Sequence, residues 1–131
     1  MVFPYKYEPR YKCWFPIIPL KMHGEAGRLL ETYAYVDSGA AFSVFQPFEA
    51  AVLGLDIARG KPGTLTAGDG RLLRCSIHIL RLEVGTHRFT GTIGFSKDLR
   101  IGFNVLGLAG FFDRFREIAF HHGQRCLFLR P

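Results

Sequence analysis

Among the ionisable and nucleophilic residues of this chain, Asp37 has the most demanding setting. It ends an apolar, β-prone run, Ala34-Tyr35-Val36, and is followed at once by the hydroxyl of Ser38, then by Gly39 and Ala40. A carboxylate placed there is costly to strip of water unless it is paired or put to use. That makes it a candidate for proton transfer. Other chemistries find less support. Ser38 lacks the Gly-x-Ser-x-Gly surroundings that present a hydrolase nucleophile. Cys75 lies in an alternating apolar strand, the setting of a packed thiol. His121 and His122 are adjacent, so they point to opposite faces of a strand, and no carboxylate or cysteine stands at ligand spacing. No metal and no other cofactor is expected. Gly68-Asp69-Gly70 lacks the lysine and following helix of a phosphate loop. Short polar clusters ending in glycine also mark ordinary turns, so Asp37 needs the rest of the chain behind it.

The elements that must position it follow from hydrophobic pattern and turn chemistry. Ile17, Ile18, Leu20 and Met22 predict a strand, residues 23–27 a turn, and Arg28 to Val36 a returning strand; this hairpin delivers Asp37 at its end. Phe42 to Phe45 resumes β character. Pro47 suits the first turn of a short helix that reaches Leu53 and is closed by Gly54. Lys61-Pro62-Gly63 reads as a loop. Thr64 to Ala67 and the stretch from Arg71 onward form a second hairpin around a glycine-rich tip. In its returning strand Leu73, Cys75, Ile77 and Ile79 alternate, then Leu80, Leu82 and Val84 continue in the opposite phase, which predicts a bulge near Ile79-Leu80. Gly85-Thr86-His87 turns into a strand carrying Phe89, Ile93 and Phe95. After a polar loop, Phe103 to Leu106 is a buried strand ending at Gly107, and Leu108, Phe111, Phe112 and Phe115 recur at the spacing of a short amphipathic helix. Glu117 to Phe120 and Arg125 to Leu129 close the chain as a hairpin. The sum is mainly antiparallel β with one or two short helices, a small barrel or sandwich.

Bulk properties narrow the reading further. A chain of 131 residues holds one domain with a real core. Residues 1–16, with Pro4, Pro9 and Pro16 among six large aromatics, predict an extended arm lying on the domain or on a partner, ahead of a single domain over residues 17–131. The net charge of +6 is spread without a dense basic run, which argues against a nucleic-acid arm. Three cysteines, Cys13, Cys75 and Cys126, are odd in number and far apart, so reduced, mostly buried thiols and a cytoplasmic location are expected. No apolar leader region opens the chain. The longest apolar run, Val105 to Phe112, is far too short to span a bilayer, so a soluble protein with no membrane partner is expected.

Taken in order, the chain runs hairpin, Asp37 loop, short helix, glycine-tipped hairpin, strands, then Asn104-Val105-Leu106-Gly107. With Val36-Asp37-Ser38-Gly39-Ala40 and Leu53-Gly54-Leu55, this order resembles the retropepsin-like aspartic proteases, the single-domain family that includes retroviral proteases and cellular relatives. The resemblance covers roughly residues 17–116, and its two motifs together are far more specific than either alone.

The resemblance implies a small closed β-barrel and hydrolysis of peptide bonds by a water held between two aspartates that share one proton. Only Asp37 has the required continuation; Asp56, Asp69, Asp98 and Asp113 do not. The second carboxylate is therefore implied to come from a second copy, making a homodimer with a peptide or protein substrate. By the same resemblance Ser38 would bond across the two-fold axis, and Gly39 and Ala40 would support the loop. Asn104, Val105, Leu106 and Gly107 would brace it and line pockets, and Ala67, Gly68, Asp69 and Gly70 would form a flap tip. Two features depart from the retroviral pattern. The acidic residue after the triplet and the arginine after the second glycine are replaced here by Ala41-Phe42 and Leu108. A family-shaped peptide-binding module without catalysis is the first rival reading. A basic, nucleic-acid-binding β-barrel that uses the aromatics is the second.

Overall fold

The computed structural model describes all residues from Met1 to Pro131. Its strands are β1 (Val2–Pro4), β2 (Lys6–Glu8), β3 (Cys13–Phe15), β4 (Ile17–His23), β5 (Leu29–Val36), β6 (Ser43–Phe45), β7 (Lys61–Thr66), β8 (Leu72–Val84), β9 (His87–Phe95), β10 (Asn104–Leu106), β11 (Glu117–His121) and β12 (Cys126–Arg130). One α-helix, α1 (Pro47–Val52), follows β6, and the remaining helical pieces are single 3₁₀ turns. Six strands close on themselves in the order β4-β5-β10-β6-β9-β8, with β8 returning to β4. β7 lies outside the ring on the edge of β8. The expected small barrel is thus present. Its seams are mostly antiparallel, but β5–β10 and β6–β9 run parallel.

The barrel forms because alternation places one apolar face of each strand inward. Ile18, Leu20 and Met22 of β4, Ala34 and Val36 of β5, Leu80, Leu82 and Val84 of β8, and Ile93 and Phe95 of β9 enter one core with Phe45, Leu53, Leu106 and Phe111. Pro47 opens α1, where its missing N–H is harmless. A second, small cluster of Val44, Leu73 and Cys75 lies apart from that core, with Leu65, Ala67, Ile77 and Leu99 against it.

That second cluster corrects the reading of β8. The strand is continuous, pairing with β9 without a break from Ser76↔Phe95 to Val84↔His87, so there is no bulge. The change of phase arises because its first half turns Leu73 and Cys75 to the small cluster while its second half turns Leu80, Leu82 and Val84 to the main core. Lys61-Pro62-Gly63 is likewise part of a strand and not a loop. Pro62 is tolerated because β7 is an edge strand. The helix expected over residues 108–115 is absent, and only Phe112–Arg114 makes a 3₁₀ turn. Gly110, at φ +94°, breaks any continuous helix, and so short a segment has little helical stability of its own. The aromatic spacing serves a compact cluster instead, with Phe111, Phe115 and Phe89 in mutual ring contact. Of the three thiols, all unpaired, Cys75 is buried, Cys126 is half-buried and Cys13 is exposed, contrary to the expectation that most are buried.

Residues 1–16 divide into two parts. β1 pairs antiparallel with β12, which pairs in turn with β11. Tyr5 enters the main core beside Leu127 and Leu129 of the C-terminal hairpin. β2 and β3 then form a small hairpin of their own. It lies against the barrel through Tyr11, whose hydroxyl donates to the Ile101 carbonyl at 3.1 Å, and through Phe15, which meets Tyr35 and Phe103 edge to face or tilted.

Candidate active site

Asp37 leaves the barrel wall at the end of β5, where Val36 lies opposite Leu106 in the parallel seam with β10. Its backbone N–H donates to the Leu106 carbonyl at 3.0 Å. The chain then turns, with Ala40 N–H donating back to the Asp37 carbonyl at 3.2 Å. Gly39 N–H donates to Asp37 Oδ1 at 2.8 Å, orienting the carboxylate. β5 and β6 are consecutive in the chain, yet β10 is inserted between them. The loop that joins them must therefore arch over the end of β10, and Asp37 to Phe42 is that arch.

The arch is fastened to the segment that follows β10. Leu108 N–H donates to the Ala40 carbonyl at 2.8 Å and Ala109 N–H to the Ala41 carbonyl at 2.9 Å. Ser43, almost fully buried, accepts the Gly107 N–H at 3.0 Å on its Oγ and donates from the same hydroxyl to the Ala109 carbonyl at 3.0 Å. Gly107 is obligatory for steric reasons. A Cβ there would stand 2.6 Å from the Ala40 carbonyl oxygen and closer still to that of Phe42, both of them backbone atoms with nowhere to go. Gly39, Ala40 and Leu106 thus bond Asp37 directly, and Gly107 packs under the arch against Ala40 and Phe42. Ser38 is exposed at the crest of the turn.

Asn104 behaves differently. Its side chain is buried and turned to α1, its Oδ1 accepting the Gln46 N–H at 3.0 Å. Its amide donates to Glu49 Oε1 at 2.8 Å and to the Tyr33 carbonyl at 3.1 Å. Thr32 adds a hydroxyl bond to the same Glu49 oxygen at 2.7 Å, while Glu49 Oε2 is buried with no partner. Burial pushes the Glu49 carboxyl up, against the lowering effect of these two donors. Asn104 therefore pins the β5–β10 seam to the helix and does not face the cleft. Ser43, Thr32 and Glu49 escaped the sequence reading. They are ordinary polar residues whose partners lie far along the chain, and only the apolar run around Ser43 hinted that its hydroxyl would need an internal partner.

The hairpin β7–β8 carries the expected tip. Ala67 N–H donates to the Arg71 carbonyl at 2.8 Å, and Gly70 takes a positive φ. Asp69 accepts the Arg71 N–H at 3.0 Å and its side-chain Nε–H at 2.6 Å, and these bonds hold its carboxyl below the usual range. Asp69 is thereby spent inside its own turn. Gly68, Asp69 and Gly70 are exposed, whereas Ala67 packs on the cluster of Val44, Leu73 and Cys75. Val44 pairs with Val105, and Val105 lies opposite Tyr35. The hairpin is thus rooted in the strands that flank Asp37.

Asp37 and Ser38 open into a cleft of ≈ 360 Å³ walled by Trp14, Phe15, Tyr35 and Phe120. Asp37 is its one carboxylate. Tyr35, two residues earlier on the same strand face, has its phenol pushed up by burial first and by the Asp37 charge second. Nothing among these residues forms a group of three or more metal ligands. The chemistry open to the site is that of a lone, oriented carboxylate at an apolar, water-accessible opening.

No family model matches the chain, and no curated protein matches it by sequence. Among solved structures, a retropepsin-like aspartic protease from Rickettsia conorii aligns over 98% of this chain and 88% of its own, with a TM-score of 0.64 and 17% sequence identity. A six-stranded barrel with β10 threaded between the strands on either side of Asp37 gives this chain the retropepsin type of fold.

Proposed function

We propose that the protein is an aspartic endopeptidase that acts as a homodimer, with one Asp37 from each subunit. The observation that carries this reading is the arch itself: a carboxylate oriented by Gly39 N–H, held up by β10, and facing an open cleft that contains no other acid. Two such carboxylates facing each other across a two-fold axis would share one proton, because like charges a few ångström apart resist joint ionisation. The ionised member takes a proton from water as that water attacks the scissile carbonyl, and the protonated member donates a hydrogen bond to the carbonyl oxygen. The glycine-tipped hairpin would close over an extended substrate, whose backbone can add to it as a strand. No helix is long and apolar enough to cross a membrane. Three unpaired thiols suit a reducing, cytoplasmic setting.

The deciding experiment is digestion of a peptide library from acidic to neutral pH by the purified protein and by Asp37→Asn. Cleavage by the parent that disappears in Asp37→Asn supports the reading. Cleavage that persists in Asp37→Asn removes the mechanism. A folded dimer that cleaves nothing favours a peptide-binding module of the same shape.

A further inference from the structure

The cleft beside Asp37 is continued outward by side chains from both ends of the chain. Trp14 comes from the β2–β3 hairpin, and Phe120 and His122 come from the C-terminal hairpin. Trp14 is 36% exposed and Phe120 40% exposed, so an aromatic rim stands open around a carboxylate. β11, which carries Phe120, has β12 as its one neighbour, leaving the other edge of N–H and C=O groups unpaired. Edges that face water are usually blunted by lysine, proline or a bulge. The middle of β11, Ile118-Ala119-Phe120, has none of these, and its register with β12 is unbroken.

We infer that this rim, centred on Trp14, Phe120 and His122, is the surface on which a second copy of the chain docks. The inference rests on the half-site reading given above and names the contact that completes it. One protomer places a single carboxylate in the cleft, and a two-fold axis between two Asp37 residues brings whatever lines each cleft against its counterpart. Tryptophan and phenylalanine at the centre of such a contact are the usual anchors. β1 is not free to cross to the partner, because it is already paired with β12 and the Met1 ammonium donates to the Leu129 carbonyl at 2.8 Å. The arm hairpin and the outer strand of the C-terminal hairpin are then the dimer-forming elements, and an aromatic contact takes the place of the acidic residue and arginine of the retroviral pattern, whose positions here hold Ala41-Phe42 and Leu108.

The test is sedimentation of the full chain over a dilution series, for the parent, Trp14→Glu, Phe120→Glu and the control Phe48→Glu, which alters an exposed residue of α1 outside the cleft. Circular dichroism verifies folding of each. The parent is expected to be a dimer, each rim variant to raise its dissociation constant roughly tenfold or more, and the control to match the parent. Hydrogen exchange on the parent gives a readout free of mutation: the outward-facing β11 amides of Ile118 and Phe120 should be protected above the dissociation constant and exposed below it. A dimer unchanged in both rim variants, or β11 amides equally open at both concentrations, overturns this surface and leaves the half-site reading standing. A parent that is monomeric at every concentration overturns both.

Discussion

Asp37 and Glu49 are served by opposite ends of one seam, β5 against β10, and the seam treats its two acids in opposite ways. At one end Asn104 and Thr32 reach the buried Glu49, two donors share one of its oxygens, and the other oxygen has no protein partner. At the other end Asp37 receives one backbone N–H and opens to a cleft. The buried acid is a fastener whose burial works against its charge. The acid left half in water is the one able to exchange a proton with a bound molecule. Burial of a carboxylate by itself would have singled out Glu49, which does not line the cleft.

Substitutions at the two ends should separate these roles. Asp37→Asn should lower peptidase activity by about a hundred- to ten-thousand-fold. The melting temperature should stay nearly unchanged, because the amide oxygen still accepts the Gly39 N–H; a comparable loss of stability would make Asp37 a structural residue like Glu49. Gly107→Ala forces a methyl group against two backbone carbonyls and should cost about 3 kcal/mol in denaturant unfolding, with activity falling alongside. Ser43→Ala leaves the buried Gly107 N–H without an acceptor and should cost about 1–3 kcal/mol. A turnover defect larger than its stability loss would show that the arch must be held still as well as held together.

Glu49→Gln should have the smallest effect, and its signature is in pH. The folded protein keeps the Glu49 proton at pH values where the unfolded chain has released it. Stability from this group is therefore greatest in acid and is lost as pH rises from the ordinary glutamate value of 4.5 to the higher folded one. Chemical denaturation across that window should show this slope in the parent and its absence in Glu49→Gln. At neutral pH the variant should be within about 1 kcal/mol of the parent or above it. An unchanged slope would mean that Glu49 is not the group responsible.

Most of the barrel and the position of Asp37 were legible in the sequence because they depend on local rules: two-residue alternation, turn residues at fixed places, and a proline at a helix start. The second motif was legible for a different reason, its likeness to a known family, and that likeness gave no sign that the Asn104 side chain turns to Gln46 and Glu49 of the helix region. What stayed hidden depends on meetings between distant segments. Ser43 becomes a fastener only when Gly107 and Ala109 arrive, and Thr32, Glu49 and Asn104 have no pattern until three elements converge. The β8 phase change and the helical spacing of Phe111, Phe112 and Phe115 were misread for the same reason. Each periodicity was real, but it was produced by a second apolar cluster in one case and by an aromatic cluster in the other.

The insertion of β10 between β5 and β6 also sets an order of assembly. Asp37 meets the Leu106 carbonyl only after about 70 further residues have been laid down. The hairpins β4–β5 and β8–β9 pair neighbours in the chain and can form early, whereas the arch over β10 closes a far longer loop, exceeded by the β1–β12 pairing. The arch that carries the carboxylate is therefore fastened late, after the β7–β8 hairpin and the local hairpins of the barrel can form. A nascent or partly folded chain would carry Asp37 in a turn not yet fastened to β10, so under the proposed function cleavage would be withheld until folding is nearly complete.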